Sequence, residues 1–561
     1  MRLVSTLALG VTLACASSTP RPTPPTSEAQ GASDAAAMAA AASIRPEAIA
    51  AHIRFLADDL LAGRFPGTPG YDVAARYVAS ELQALGLKPA GENGTYFQKV
   101  PMVAAKLEGG SLEFTGGSGA PISPAIGEDV VLAKDLDTGR TDVSGEVVFA
   151  GYGLSVPEYG YDDFAQVDVR NKIVVVLAGA PLSDRPDFFP SLASAVHGQS
   201  ERVERDLMRR GARAAIGVWT PAREALTPFR HFAKYFGFES MRLEDSPPLL
   251  PAAVISGVTF DALLKKAGRS ETMASLVEAS AQGKPRGFAL GLTARLRVET
   301  KIRRLSSENV IGLLPGDPTS PTGKEMIVYG AHLDHVGVGK PVNGDSIYNG
   351  ASDDAAGVGS LIEIARAFTT FKQPPRRGVL FLFVTAEERG LLGSEWFARH
   401  PTVPLKDIVA DIDVDGAYPI HPLKDVVALG TGESSLGRDV ARAAGELGLQ
   451  VSPDPEPGEA YFVRSDNFNF VKKGIPAAQT FSGLVGLTPE QVAAEKEFWR
   501  KRYHQPQDEY EPDRDWEPLA QMTRFNFLLG VSIVNDPTRP SWNPDSWFRR
   551  FPEPKHPGEP D

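Results

Sequence analysis

The chain has 561 residues, and its 42% hydrophobic and 23% charged content is the balance of a packed, water-soluble chain of about two to four domains, neither disordered nor embedded in a bilayer. An excess of 70 acidic over 58 basic residues gives a net charge of -12, which excludes the broad positive field that draws proteins to nucleic acid. Cys15 is the single cysteine, so an intrachain disulfide and a multi-thiolate zinc site are excluded, and any metal must take nitrogen and oxygen ligands.

In chain order, Arg2 followed by the apolar run Leu3 to Leu13 reads as an export signal over residues 1–14. Thr12-Leu13-Ala14-Cys15 resembles a bacterial lipoprotein cleavage box, with Thr12 where Leu is usual. That implies a lipid on Cys15, an anchor in the cell envelope and the only expected membrane contact; cleavage after Ala14-Cys15-Ala16, giving a secreted protein, is the alternative. Residues 15–43 are rich in Ser, Thr, Pro and Ala and read as a flexible linker. Helical spacing of Ile53, Leu56 and Leu60, then of Val78, Leu82 and Leu85, predicts two helices over Pro46 to Leu61 and Tyr71 to Leu85, the second closed by Gly86.

From 135 to 304 the texture changes to short β-branched runs such as Val147-Val148-Phe149 and Ile173 to Leu177. Asp168 to Val174 and Arg210 to Ile216 resemble the protease-associated domain inserted in several peptidase families, which implies a lid or docking surface. From 305 to 535 apolar runs of buried-strand length (Met326 to Tyr329, Val379 to Val384, Ile408 to Val414, Ala477 to Phe481) alternate with helical patterns such as Val358, Leu361, Ile362, Ala365 and Phe368. The fold class is therefore α/β, a mostly parallel central sheet flanked by helices, formed by 44–134 and 305–535, with a β-rich insertion. Residues 536–561 are dense in proline and read as a surface tail.

Polar residues cluster where such a sheet places its chemistry, beyond the carboxyl ends of strands. His332-Leu333-Asp334 follows the first run, Glu387-Glu388 the second and Asp413 the third, while Asn349 to Gly357, with Asp353, opens a helix. Each has a bland reading: a lone His is usually solvated, Glu-Glu and Asp-Asp pairs are usually exposed charge, and Ser352 or Asp353 could cap a helix. Their joint occurrence in order weighs against coincidence.

These motifs, with Tyr503-His504-Gln505-Pro506 downstream, resemble metallopeptidase family 28, the co-catalytic zinc aminopeptidases, over about 45–130 and 305–535. The resemblance implies two zinc ions. His332 and Asp413 would hold one, Glu388 and His504 the other, with Asp353 bridging. It also implies Glu387 as general base and Asp334 as the residue that orients His332. The activity implied is hydrolysis of the N-terminal peptide bond of peptides with a free N-terminus, by a water held between the metals. Arg464-Ser465-Asp466-Asn467 carries Asn467 where the family commonly has His, and Tyr461 and Arg464 are the weaker candidates for contacting substrate or the developing oxyanion. His335, His400, His421 and His556 read as structural or surface residues, with His335 the nearest to the cleft. The alternatives are a co-catalytic zinc carboxypeptidase or deacylase, a receptor-like homologue without catalysis, and a one-zinc cyclase acting on N-terminal glutamine.

Overall fold

The computed structural model describes residues 27–183, 185, 187–416 and 418–553; the export signal, Cys15, His556 and the rest of 554–561 lie outside the described residues. The strands that matter here are β1 (Phe97–Gly116), β2 (Val130–Leu132), β3 (Arg140–Ala150), β4 (Ile173–Leu177), β5 (Ala214–Val218), β6 (Ala252–Ile255), β7 (Gly287–Leu314), β8 (Met326–His332), β9 (Gly378–Val384), β10 (Ile408–Asp413), β11 (Asp425–Leu429), β12 (Gln450–Ser452) and β13 (Ala477–Ser482). They join one 15-stranded mixed sheet in the order β12-β11-β13-β10-β8-β9-β7-β3-β4-β5-β6-β2.

At its centre β8 lies parallel to both β9 and β10, and β10 parallel to β13. Every residue of β8, β9 and β10 is buried, as parallel strands covered on both faces require, which is why they read as unbroken apolar runs. One face is covered by α2 (Pro46–Leu56), α3 (Pro69–Ala84), α5 (Ala356–Thr369) and α8 (Glu517–Asn535), whose apolar residues share a core with Tyr329, Phe381 and Ile412. Phe397 of α6 (Leu392–Arg399) and Phe470 of α7 (Asn467–Val471) pack on the other face.

A second core gathers Leu112, Phe114, Val130 and Leu132 with β3 to β6 and the outer half of β7. The boundary expected at 135 therefore falls too late, because β1 and β2 contribute to this second core as well. The long antiparallel pair β1–β7 joins the two cores: Leu292 to Val310 of β7 face β1, while Val310 to Leu314 pair with β9. In the outer half of β7 buried and exposed residues alternate, as they do on a sheet with one wet face. Between β5 and β6 in the chain, the short helix α4 (Phe229–Tyr235) carries three aromatic residues, Phe229, Phe232 and Tyr235.

Two linker expectations are corrected. Residues 27–42 form a helix, α1 (Ser27–Ala42), with Ala37, Ala40 and Ala41 buried. An alanine-rich run read as low complexity is also the best helix former, and these three positions share one face. The segment after Asn535 is docked rather than a loose tail, with Phe548 and Phe551 buried beside Phe462 and Phe468. Its proline content signalled extension, but four aromatic residues between Trp542 and Phe551 anchor it.

Candidate metal centre

The strand ends converge as the sheet register dictates. His332 is the last residue of β8 and sits level with Val384 of β9, so Glu387 and Glu388 lie just beyond it. Ala386 takes a left-handed φ of 56° between them. That conformation is costly for a non-glycine residue, of the kind retained at functional turns, and it turns the chain out of the strand just before the two glutamates. On the other side Gly330 pairs with Asp413. Counting two residues along both parallel strands, the position level with His332 is Asp415.

That register sets Asp415, rather than the expected Asp413, nearest His332. The atoms gathered closely enough to share an ion fall into two groups, His332 with Asp353 and Asp415, and His335 with Asp353 and Glu388. His332 Nε2 lies 3.0 Å from Asp353 Oδ1 and 3.6 Å from Asp415 Oδ1. Asp413 is turned away, its Oδ2 accepting the Ser465 hydroxyl at 2.6 Å, and the same hydroxyl lies 2.7 Å from Asp415 Oδ2. His504 Nε2 stands 3.1 Å from both Asp353 Oδ2 and Glu388 Oε1, so Asp353 spans the two groups with one oxygen each. His335 enters the site that sequence reading had placed it only beside: its Nδ1 is 2.8 Å from Glu388 Oε1 and the residue is fully buried.

These atoms fit a metal pair. His335 Nδ1, Asp353 Oδ2 and Glu388 Oε1 are buried without a hydrogen-bond partner among the described residues, although all lie within contact distance of opposite atoms. Close nitrogen–oxygen pairs that fail hydrogen-bond geometry are what lone pairs aimed at a common ion look like. Two ligand atoms about 2.0–2.1 Å from one zinc stand roughly 3.3 Å apart in a tetrahedral arrangement. His332 Nδ1 is 3.0 Å from the Asp334 carbonyl, and donating its proton there leaves Nε2 free to ligate. Asp334 thus orients His332, but through its backbone; its carboxylate accepts the Glu387 N–H at 3.1 Å.

Electrostatics agree with a site built for cations. Burial opposes charge on His504, but Glu388 and Asp353 outweigh it and push it up to about 9. Burial also opposes charge on His332, and Glu387, Asp353 and Asp415 raise it well above the ordinary histidine range. Burial raises the Glu387 carboxyl well above its usual range, with Asp415 and Asp466 adding to the effect and His332 opposing it. Burial raises Asp413 in the same direction, with Asp415, Asp411 and Asp466 adding.

Two supporting residues gave no signal in the sequence. Arg64 is fully buried and donates to four carbonyls, Leu333 at 2.9 Å, Leu56 and Asn349 at 2.6 Å and Gly350 at 2.9 Å, tying the loop after His332 to the turn before Asp353. Asp508 accepts the Ser352 and Asp353 N–H groups at 2.9 and 3.0 Å, holding that turn against the segment that carries His504. Tyr461 and Arg464 stand apart from the cluster: the Tyr461 hydroxyl reaches Glu456 and Arg464 pairs with Glu459. Tyr503, half-exposed and stacked on His504 at 3.8 Å, is the phenol beside the metal residues on the solvent side. His400 pairs with Asp245 and His421 with Glu495, both away from the cluster.

Residues 309–528 match the model of peptidase family M28. A vacuolar membrane protease of Verticillium alfalfae is 36% identical over 223 residues, 38% of this chain and 18% of that protein. Another, of Emericella nidulans, is 29% identical over 200 residues, 34% of this chain and 17% of that protein. The chain thus spans less than a fifth of the length of these curated relatives. Among solved structures, an aminopeptidase from Aneurinibacillus sp. strain AM-1 superposes with a TM-score of 0.53 at 19% identity, covering 90% of this chain and 96% of that one, which is a likeness of fold. The ligand-type residues at the strand ends, from His332 to His504, all lie within residues 309–528, the segment that matches the model of peptidase family M28.

Proposed function

We propose that the protein is a two-zinc aminopeptidase. The observation that carries this reading is one cluster in which Asp353 offers one oxygen to His332 and the other to His504, with ligand-type atoms buried and unpaired around it. His332 and Asp415 would hold one ion, Glu388 and His504 the other, with Asp353 shared and His335 alongside the second. When bound, such a pair polarises the scissile carbonyl and lowers the pKa of water at the site.

The remaining work falls to the chain's own residues. Glu387 follows the left-handed turn at Ala386 and is partly exposed, and its carboxylate takes the proton of the attacking water and passes it to the leaving amine. Asp334 holds the Glu387 backbone and the His332 ring together. The Ser465 hydroxyl stands between Asp413 Oδ2 and Asp415 Oδ2, which leaves Asp415 Oδ1 facing His332. Tyr503, rather than Tyr461, is the phenol placed to donate to a developing oxyanion. Export and a lipid on Cys15 belong to the same proposal, supported by the residue order around Cys15.

A timed digest of short peptides by the zinc-loaded protein, followed by mass spectrometry, tests the reading. Residues should leave one at a time from the N-terminus, and acetylated peptides should survive. Loss from the carboxyl end, or equal cutting of acetylated peptides, would favour the carboxypeptidase or deacylase alternative. About two zinc ions per chain by elemental analysis is the matching expectation, and a folded protein with none refutes it.

A further inference from the structure

Helix α4 lies in the chain between β5 and β6, two strands of the second core, and reaches over the metal cluster. Phe232 stacks on Trp219 at 4.1 Å and packs against Phe229 and Phe236, which fixes the helix to its own side. At the far end the Tyr235 hydroxyl donates to the Glu388 carbonyl at 2.6 Å and lies 3.1 Å from Glu388 Oε2. The Tyr235 ring lies parallel to His504, with centroids 5.1 Å apart and planes 11° apart. The other Glu388 oxygen, Oε1, is the buried, unpartnered one that faces His504 Nε2 at 3.1 Å. One phenol thus occupies the carboxylate oxygen turned away from the cluster and backs the ring of the facing histidine.

Neighbouring contacts hold the helix in that position. The Arg389 guanidinium sits among the rings of Phe65, Tyr235 and Phe238 at 5.4, 5.3 and 5.5 Å. Its Nε and Nη2 are buried with no hydrogen-bond partner among the described residues, so the aromatic faces supply the attraction. Phe238 meets Tyr348 edge-on at 5.6 Å, and Lys234 Nζ reaches Gln505 Oε1, next to His504, at 3.4 Å. The other half of the cluster, His332 and Asp415, is positioned instead by β8, the end of β10 and Ser465.

We propose that Tyr235 is a positioning residue through which the second core completes the metal centre, fixing Glu388 and His504 as ligands of one ion of the pair and leaving the other ion independent of it. The inference rests on the two-zinc reading above and adds a division of labour between the two ions. A partner that fixes a ligand's orientation is worth about 10–100-fold in metal affinity.

The test dialyses the zinc-loaded full-length protein against graded pyridine-2,6-dicarboxylate and counts zinc per chain. Wild type should hold two ions. Tyr235→Phe, which removes only the hydroxyl, should release one of them at about 10–100-fold weaker chelation and keep the other with the wild-type profile. Tyr235→Ala, which also removes the ring behind His504, should release the same ion more readily still. Matching circular dichroism and melting in excess zinc confirm that each variant is folded. Tyr235→Phe holding both ions as wild type does, or losing both in parallel, overturns this inference alone. Wild type that never takes up two ions overturns both it and the two-zinc reading.

Discussion

Asp413 and Asp415 are two residues apart, both acidic and both at the end of β10, yet they do different things. Asp415 Oδ1 faces His332 Nε2, whereas Asp413 is enclosed with the Ser465 hydroxyl and has its other oxygen buried without a partner among the described residues. Asp415→Asn should therefore lose zinc from the His332 half of the site, while the nearly isosteric Asp413→Asn should keep both ions; elemental analysis of the two variants separates them. The glutamate pair divides in the same way. Glu387→Gln should keep its metal and lose roughly 10²–10⁴ in kcat, the usual worth of a positioned general base, whereas Glu388→Gln should lose metal, and a zinc count beside a turnover assay distinguishes the two losses.

Among the elements, the segments that carry the proposed ligands are tied together by buried polar residues such as Arg64 and Asp508. Arg64→Met would fill similar space and leave four buried carbonyls without their donor, at about 1–3 kcal/mol for each group stranded, so urea denaturation should show a loss of at least about 3 kcal/mol. The docked C-terminal segment offers a second test. His197 is 7% exposed and meets Tyr159, Phe189 and Trp547 edge-on. Burial, aided by Arg202 and opposed by Glu158, lowers its pKa to about 4. A histidine depressed in the folded state binds its proton more readily when unfolded, so its contribution is complete above the ordinary value near 6.5 and is lost as pH falls towards about 4. Wild type should melt above His197→Gln at pH 7.5, and the gap should narrow as the pH is lowered to 4.5; a constant gap refutes this.

At the scale of the whole molecule, no helix among the described residues is long and apolar enough to cross a membrane. If Cys15 carries lipid, the mature protein should partition into detergent, and Cys15→Ala should release it or block its processing, which phase separation and blotting would show. The two cores share the β1–β7 ribbon, and Tyr235 of α4, from the chain between β5 and β6, stands against Glu388 and His504.

Most of the proposed ligands, and the proposed base, were legible in the order of the chain. His332, Asp353, Glu387-Glu388 and His504 occur at strand ends or loop starts in apolar contexts that already mark a buried parallel sheet, because strands covered on both faces must be continuously apolar and their chemistry must lie beyond them. The choice between Asp413 and Asp415 was not, since it turns on the register that sets Gly330 against Asp413, and register is a property of two strands rather than of one. Nor were the parts played by Arg64, His335, Asp508 and Tyr235: each acts on a partner more than a hundred residues away or on a loop whose path the fold sets, and an isolated Arg, Asp or Tyr has no local pattern that announces such a partner. The alanine run of α1 and the proline-rich end misled for a related reason. Composition reports what a segment can do alone, and burial against α8 or beside Phe462 is decided by the surface it meets.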